Sequence, residues 1–317
     1  MNDNNVAGDW LAIVNPNAGN GKGRKDQARI AGLLEKNGLG FTMVMTERKG
    51  HAIELTRDYI ARGYRNFISI GGDGTLNEIV NGIFTQDICS PGSCTISKIP
   101  VGTGNDWGRM FSIPLVYEGA VKVIKERLTM KHDVGVIDYR NGETDERRYF
   151  LNIAGLGFES VVVAKTNRQK EKGKSSRAIY FYNLLSSLVA YRNTPAEITI
   201  DGKTAKQKIF SINVGNGRYC GGGMRQTPEA LPDDGMFDIT VIKEIGKIEI
   251  IRSLKLLYDG TVLSHPRIDG YRSTGLKVSS DSTLYLEADG ESLGHTPATF
   301  SILPSAVNIV YATRIIQ

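Results

Sequence analysis

The first part of the chain alternates short apolar runs with stretches whose apolar residues recur at helical spacing. The runs WLAIV (10–14), FTMVM (41–45) and FISI (67–70) predict buried strands, and helices are predicted through 29–34 and from His51 to Ile60. Alternation of strand and helix is typical of a parallel sheet covered by helices. Because ligands of such sheets bind at the carboxyl ends of the strands, we expect a site in the loops that follow these runs.

The pattern changes after Asp133 to an alternation of apolar and polar residues with period two. The alternating segments are YFLNIAG, EITIDG, KIFSINVGNG, FDITVI, LYLEADG, FSILPS and VNIVYA. Short strands separated by turn residues predict an antiparallel sandwich or barrel. Two helical stretches, 176–191 and 247–257, interrupt these strands.

We therefore predict an α/β fold with an N-terminal Rossmann-like parallel sheet with helices and a C-terminal antiparallel β-sandwich domain. The predicted boundaries are 1–133 for the first domain and 134–303 for the second. A C-terminal segment, 304–317, is expected to return to the first domain. A chain of 317 residues is long enough for two domains that each bury a core of their own.

Composition and charge exclude several classes of protein. A hydrophobic content of 40% and a charged content of 23% are typical of globular proteins. No apolar run approaches the ~20 residues that cross a bilayer, and the N-terminal MNDNNVAGDW lacks a signal-peptide core. The net charge of +5 suits an anionic ligand or membrane surface but is weak for a nucleic-acid binder. Three cysteines and four histidines without metal-ligand spacing predict a cytoplasmic protein with no disulfide framework or zinc site.

The stretch GGDGTLNEIVNG (71–82) follows the third apolar run and places a carboxylate inside a glycine turn. One interpretation is structural, with Thr75 and Glu78 forming a capping box at the start of an amphipathic helix. The other is functional, because backbone N–H groups at a helix start bind anions. Asp73 fits beside a phosphate when a divalent cation lies between them. This stretch alone is compatible with both.

Two more glycine-rich loops follow predicted strands. NPNAGNGKG (15–23) matches neither the P-loop nor the dinucleotide fingerprint, but it carries Lys22 near the glycines. IPVGTGND (99–106) ends in an amide and a carboxylate, and its structural interpretation is a turn with an Asx cap before a short helix. Three such loops in one α/β domain favour a nucleotide–metal site.

NPNAG, GGDGTLNE and VGTGND, in this order and at this separation, resemble the diacylglycerol kinase catalytic domain. The resemblance is to the branch of soluble bacterial lipid kinases, which is related to the sphingosine and ceramide kinases. GGDGT alone is shared with NAD kinases, whereas NPNAG and the directly attached NE favour the lipid kinases. The resemblance continues through GGGM (221–224), LPDDG (231–235) and DGE (289–291), so it covers nearly the whole chain.

The resemblance implies a nucleotide site and a catalytic magnesium site in the first domain. The positions that match nucleotide-contacting residues are Asn15, Pro16, Asn17, Ala18, Gly19, Thr46, Gly72, Asp73, Gly74, Thr75, Leu76, Asn77, Glu78 and Thr103. Asp73, Asp106 and Asp133 match acidic positions that organise the catalytic magnesium and its water network. Relatives can carry a lysine after the NPxxG glycine, where this chain has Asn20, and Lys22 is the candidate substitute.

The resemblance also implies functional residues in the second domain. LPDDGMF looks like a second, structural magnesium site, with the side chain of Asp234 and the carbonyls of Leu231 and Met236 as ligands. Asp289 and Glu291 match the position of the general base. We favour Glu291 as the base and Asp289 as its electrostatic neighbour, supplied from the domain opposite the nucleotide.

The expected activity is transfer of the γ-phosphate of ATP, with Mg²⁺, to a lipid hydroxyl such as that of diacylglycerol. The alternatives are an NAD kinase-like phosphotransferase and a non-catalytic nucleotide or lipid sensor of the same fold. Diacylglycerol, a sphingoid base, ceramide and phosphatidylglycerol all remain open as acceptors, and so does the oligomeric state, including a homodimer. No nucleic-acid partner is expected.

The segment KTNRQKEKGKSSR (165–177) carries six Lys or Arg residues against one Glu. It is either a solvated flexible loop or a surface that docks electrostatically onto anionic headgroups. A lipid acceptor requires transient contact with the anionic inner membrane surface. The expected location is therefore the cytoplasm, with peripheral association at the inner face of the cell membrane.

Overall fold

The computed structural model describes residues 9–102, 105–171 and 177–313. The chain divides into two compact units, Met1–His132 with Ser305–Gln317 and Asp133–Pro304.

The first unit is a parallel sheet covered by helices. Its elements are β1 (Trp10–Val14), α1 (Ala18–Lys36), β2 (Phe41–Met45), α2 (His51–Ala61), β3 (Asn66–Gly71), α3 (Asp73–Phe84), β4 (Thr95–Pro100), α4 (Asp106–Met110) and α5 (Tyr117–Glu126). The strand order is β4-β3-β1-β2, and every neighbouring pair is parallel. The strand pattern read from the sequence is confirmed because β1 and β3 are buried along their whole length, which requires continuous apolar runs.

The chain's last strand adds to this sheet. β16 (Glu291–Val310) begins in the second unit, and its final residues belong to the first. There Asn308 and Ile309 pair in parallel with Thr95 and Ile96 of β4. The side-chain amide of Asn308 also donates hydrogen bonds to the carbonyls of Gly92 and Cys94 at 2.9 Å.

The second unit is a β-sandwich-like domain, and its described residues form three α-helices. Its elements are β5 (Thr129–Asn141, which begins in the first unit), β6 (Thr144–Phe150), β7 (Ile153–Gly157), α6 (Phe158–Glu171), α7 (Arg177–Ala190), β8 (Thr194–Ile200), β9 (Lys203–Gly215), β10 (Tyr219–Cys220), β11 (Met224–Arg225), β12 (Phe237–Lys243), α8 (Lys247–Asp259), β13 (Ile268–Ser273), β14 (Gly275–Ser279), β15 (Tyr285–Ala288) and the first part of β16. The central antiparallel order is β13-β12-β9-β7-β15-β16. Its core is formed by buried residues of these strands and of their neighbours, among them Phe150 of β6, Ile212 of β9 and Phe237 of β12.

Helix α6 corrects the interpretation of the basic segment. Residues 165–171 are helical rather than a flexible loop, and 172–176 lie outside the described residues. Phe158, Val162 and Thr166 are spaced four apart and buried, so they give this helix an inward stripe. The high charge of the remaining positions hid that stripe in the sequence.

No helix in the described ranges is long and apolar enough to cross a membrane.

Candidate functional site

The three glycine loops lie at one edge of the parallel sheet of the first unit. β1 lies between β2 and β3 in the sheet. The chain runs from β1 to β2 on one side and then crosses back to β3 on the other side, so the strand order reverses between β1 and β3. Loops that leave two such strands diverge and open a crevice at the carboxyl ends, which is where open α/β sheets bind ligands. The loops after β1, β3 and β4 all begin at this edge, because the three strands are parallel and their carboxyl ends lie on the same side.

The loops contact one another closely. The Asn15 amide donates to the Thr75 hydroxyl at 3.3 Å, which joins the first loop to the second. A Cβ atom on Gly19 would lie 3.1 Å from the backbone of Gly102, so the first and third loops meet backbone to backbone. Gly19 also has a φ of +61°, a conformation that suits glycine. The glycines therefore allow an approach that side chains would block.

The other predicted nucleotide-binding residues in the loops after β1 and β2 form hydrogen bonds within this edge of the sheet. Pro16 is buried, and its carbonyl accepts the Arg24 N–H at 3.1 Å. The Asn17 N–H donates to the Asn15 carboxamide at 3.0 Å, and the Ala18 N–H donates to the Asn15 carbonyl at 3.1 Å. Thr46 is buried at the end of β2, where its N–H donates to the Val14 carbonyl. Asn20, where relatives can carry lysine, has a left-handed φ of 59°.

Asp73 is held on both oxygens. Its Oδ1 lies 2.5 Å from Nζ of Lys98, and its Oδ2 accepts the Asp106 N–H at 3.1 Å. The Lys98 side chain has no solvent exposure, whereas the Asp73 side chain is 18% exposed. Asp73 therefore links β4 and the start of α4 to its own turn.

Lys98 is a site residue that the sequence analysis missed. It lies in the middle of TISKIP, between residues that are otherwise buried in β4. A lysine in a central strand signals a buried charge that needs a partner. The sequence carries this signal, but it does not say which carboxylate, 25 residues away, provides the pairing.

The capping-box interpretation of this turn is wrong. Helix α3 begins at Asp73 with Gly72 as its N-cap, and no side chain caps it. The Glu78 carboxylate instead accepts the N–H groups of Gly50 and Ala52 at 2.8 and 3.1 Å, so it caps the neighbouring helix α2. A tertiary contact has taken the place of the local one.

The other candidates of this turn differ in exposure. Thr75, Leu76 and Asn77 are buried, and Gly74 is half-buried in the first turn of α3. Leu76 and Asn77 thus pack the helix onto the sheet, while the backbone at 72–74 is the accessible part. Thr103 lies outside the described residues.

Asp133 lies in the second unit, against the segment predicted to bind a structural metal. Its Oδ2 accepts the Gly235 N–H at 2.6 Å, and its own N–H donates to the Pro232 carbonyl at 2.7 Å. Asn216 donates to the Asp133 carbonyl at 2.7 Å. The buried Asp133 therefore shapes the 231–236 turn, and its assignment to the catalytic magnesium stays a prediction.

Asp234 has two partners within the protein. Its Oδ1 accepts the Met236 N–H at 3.0 Å, and its Oδ2 pairs with the Arg272 guanidinium. One carboxylate with the carbonyls of Leu231 and Met236 is the kind of donor set that Mg²⁺ takes. Arg272 already balances the charge of Asp234, however, so the segment fits a metal less well than the resemblance implies. Within the described ranges, no three His, Cys, Asp or Glu side chains come together as a metal cluster.

The DGE segment is a hairpin turn between β15 and β16. Ala288 pairs with Glu291, and Asp289 and Gly290 have left-handed φ values of 50° and 82°. The Asp289 carboxylate accepts three backbone N–H groups, those of Leu151, Asn152 and Ile153, at 3.0, 2.9 and 3.3 Å. With its oxygens engaged in this way, Asp289 is poorly placed to take a proton. Glu291 follows it at the first position of β16.

Glu287 is a buried acid behind the same turn. Its Oε2 accepts the Gly290 N–H at 2.9 Å, and burial raises the pKa of its carboxyl well above the usual range. A Cβ atom on Gly155 would lie 3.1 Å from the other oxygen of Glu287, so the glycine leaves room for it. Glu287 thus stabilises the turn through its hydrogen bond with the Gly290 N–H.

An apolar pocket opens in the second unit beneath α8. It has about 710 Å³ of space that no protein atom fills, a figure that includes open solvent. Its wall is formed by Phe158, Val162, Leu184, Phe210, Met224, Ile242, Ile245, Ile250, Leu254, Leu256, Leu257, Val262 and Ile268, with Glu159, Gln226 and Ser253 as its polar members. The sequence analysis did not predict this pocket, because each of its apolar residues resembles a core residue.

Glu159 is the ionisable group of the pocket wall. Its Oε1 accepts the Gln226 amide at 3.0 Å, and its Oε2 is buried with no hydrogen-bond partner among the described residues. Burial raises the pKa of Glu159 to about 7. A buried carboxyl oxygen without a partner is costly, so a polar group of a ligand would be stabilised here.

Two family models match the chain. Residues 9–137 match the diacylglycerol kinase catalytic domain. Residues 152–311 match the YegS C-terminal NAD kinase beta sandwich-like domain. The chain belongs to the diacylglycerol kinase family. The resemblance read from the glycine loops and the DGE turn is therefore confirmed at the level of the family.

Relatives of this family align with nearly the whole chain. A diacylglycerol kinase of Staphylococcus carnosus (strain TM300) is 28% identical over 297 residues, which cover 94% of this chain and 93% of the relative. A solved structure from Bacillus anthracis (strain Sterne), provisionally assigned as a diacylglycerol kinase, covers 98% of both chains with a TM-score of 0.78 and 27% identity. Yeast NADH kinase shares the fold, with a TM-score of 0.55, 11% identity and coverage of 98% of this chain and 85% of that one.

Proposed function

We propose that this member of the diacylglycerol kinase family is an ATP- and Mg²⁺-dependent lipid kinase that phosphorylates the hydroxyl of diacylglycerol or a related lipid alcohol. The first unit binds the nucleotide, and the second unit binds the lipid. The observation that carries the proposal is the apolar pocket beneath α8, because it offers a wall of aliphatic and aromatic side chains to an acyl chain.

The nucleotide part of the proposal rests on the three glycine loops. Backbone N–H groups at the start of α3 and the close-packed turns around Gly19 suit phosphate groups. Asp73 is positioned by Lys98 and the Asp106 N–H, and its exposed side can bind a metal ion or a metal-bound water. When bound there, Mg²⁺ would neutralise phosphate charge, which is the chief requirement of phosphoryl transfer.

The acceptor hydroxyl needs a base, and we assign this role to Glu291. Asp289 uses its oxygens to hold the backbone of 151–153, and Glu287 is buried with a raised pKa, so both are poorer candidates. A carboxylate within hydrogen-bond reach of the acceptor would take the proton as the phosphoryl group arrives.

The pocket favours a lipid over a dinucleotide as acceptor. A dinucleotide carries sugars and phosphates, which need many polar partners, whereas this wall has three polar members. The partnerless Oε2 of Glu159 suits a single polar group at the end of an apolar chain. The likeness to yeast NADH kinase concerns the fold alone.

Filling the pocket tests the proposal. Leu254→Trp should raise KM at least ~10-fold for a long-chain diacylglycerol and change KM for ATP little, because its ring occupies space meant for acyl chain. A short-chain acceptor should be affected less than the long-chain one. Leu303→Trp, an exposed site on β16 outside the pocket, is the matched control. Equal effects of Leu254→Trp on both acceptors would show that the chain binds elsewhere.

A further inference from the structure

Two cysteine side chains lie next to each other in the first unit, between α3 and β4. The Sγ atoms of Cys89 and Cys94 are 4.0 Å apart, whereas the S–S bond of a disulfide is about 2.05 Å long. Cys94 is fully buried, and Cys89 is half-buried. The third cysteine of the chain, Cys220, lies on β10 of the second unit. The proposed kinase reaction uses none of these thiols.

Hydrogen bonds hold the backbone at both ends of the short connection between the two thiols. The Gln86 Oε1 accepts the Cys89 N–H at 2.9 Å, and the Gln86 Nε2 donates to the Cys89 carbonyl at 2.8 Å. On the other side of the turn, the Cys94 N–H donates to the Pro91 carbonyl at 2.9 Å. The fold therefore keeps the two thiols as neighbours, and the sulfurs need to approach by only about 2 Å to bond.

Cys94 also belongs to the attachment of the last strand. Its carbonyl accepts the backbone N–H of Asn308 at 3.1 Å and the side-chain amide of Asn308 at 2.9 Å. The parallel pairing of β16 with β4 begins at the same place, where Asn308 lies opposite Thr95. A covalent bond at Cys94 would therefore tie the connection between α3 and β4 to the position where β16 joins the sheet.

The two thiols differ in accessibility. Reactions of cysteine with dissolved oxidants need a thiolate that the reagent can reach. Cys89 is partly exposed, whereas the Cys94 side chain has no contact with solvent. Burial also raises the pKa of the Cys94 thiol to about 12, so Cys94 is protonated at neutral pH. An oxidant should therefore react first at Cys89, with Cys94 in position to react second.

We propose that Cys89 and Cys94 form a redox-active pair that a hydroperoxide converts into a disulfide. The Cys89 thiolate attacks a peroxide oxygen and becomes a sulfenic acid, and the other oxygen takes up a proton and leaves as an alcohol or as water. The Cys94 sulfur then attacks the Cys89 sulfur, and the hydroxyl group leaves with the Cys94 proton as water. Each sulfur loses one electron, and the peroxide gains two. This inference does not depend on the proposed kinase function.

Treatment of the reduced full chain with hydrogen peroxide, followed by alkylation in denaturant and mass spectrometry, tests the proposal. Both cysteines lie in one tryptic peptide, 66–98, because Lys98 is its first Lys or Arg. In the treated protein this peptide should lack two hydrogen atoms and both alkyl groups, and dithiothreitol should restore both alkylation sites. The disulfide should form at least ~10-fold faster than Cys220 is oxidised, because a neighbouring thiol completes the reaction.

Single variants separate the roles of the two thiols. In Cys94→Ser the second step is blocked, so dimedone, which traps sulfenic acids, should label Cys89 at least ~10-fold more than in the wild type. In Cys89→Ser the buried Cys94 should stay reduced and alkylate normally after denaturation. Cys220→Ser is the matched control and should form the disulfide like the wild type. Matching melting temperatures show that the variants are folded.

Three results would overturn the proposal. The first is oxidation of Cys89 to sulfinic acid in molecules whose Cys94 is still alkylated. The second is oxidation of Cys220 before either Cys89 or Cys94 reacts. The third is a disulfide that joins two chains, seen as a dimer in non-reducing electrophoresis. Because these measurements need neither ATP nor a lipid, a failure of the proposed kinase activity leaves their outcome readable.

Discussion

Lys98 carries a positive charge into the interior of the first unit, where its side chain has no solvent exposure. A buried ammonium is tolerated when it is paired, and Asp73 Oδ1 at 2.5 Å provides the partner. The pair also fixes the orientation of Asp73, whose other oxygen accepts the Asp106 N–H. The carboxylate proposed to act at the nucleotide phosphates is thus in place before the nucleotide binds, which lowers the cost of organising the site.

Removing the charge of Lys98 should affect both stability and turnover. Lys98→Met should lower the free energy of unfolding by about 2–4 kcal/mol, because it leaves Asp73 without its cation. It should lower kcat about 10-fold or more, because Asp73 is no longer held. Urea unfolding and initial rates measure the two effects, and Lys122→Met, which is exposed on α5, is the control.

The double variant Asp73→Asn/Lys98→Met separates positioning from a purely structural role. Asp73→Asn alone strands the buried ammonium, so it should destabilise as well as inactivate. In the double variant both charges are gone, so stability should return toward the wild type while turnover stays lost. If the destabilisations of the single variants simply add, Lys98 and Asp73 are not coupled and the assignment is wrong.

At the level of elements, the sequence predicted those strands and helices in which the spacing of apolar residues shows which face is buried. β1, β2 and β3 and the helices α2, α7 and α8 occur where the apolar spacing places them. The capping box failed because Glu78 reaches α2, a neighbour that local sequence does not reveal. Helix α6 was missed because its inward stripe is narrow and its charge is high.

The structure of the turn between β15 and β16 assigns different roles to Asp289 and Glu291, which the sequence alone could not distinguish. Glu291→Gln should lower kcat about 100-fold or more with little change in melting temperature, as expected for loss of a general base. Asp289→Asn should lower the free energy of unfolding by about 1–3 kcal/mol, because it weakens the bonds to the backbone of 151–153. Each variant is the control of the other. A Glu291→Gln enzyme with wild-type kcat would move the base elsewhere.

At the scale of the whole molecule, the α/β fold and the family could be predicted from the sequence. The spacing of apolar residues and the glycine loops predicted the parallel sheet. The order of the motifs predicted the family, which the matches to both family models confirm. The pocket could not be predicted, because its wall is assembled from residues between Phe158 and Ile268 that only the fold brings together. The Asp234–Arg272 pair was equally invisible, since the two residues lie 38 positions apart.

The most direct test of the account is transfer of labelled γ-phosphate from ATP to a lipid, measured in the organic phase after extraction. Purified protein with Mg²⁺ should label a diacylglycerol or another lipid alcohol from a panel and leave NAD⁺ unlabelled. The Asp73→Asn/Lys98→Met variant, expected to be folded, should label neither. Labelling of NAD⁺ without any lipid, or no labelling of any acceptor by the folded wild type, would contradict the proposal that this protein is a lipid kinase.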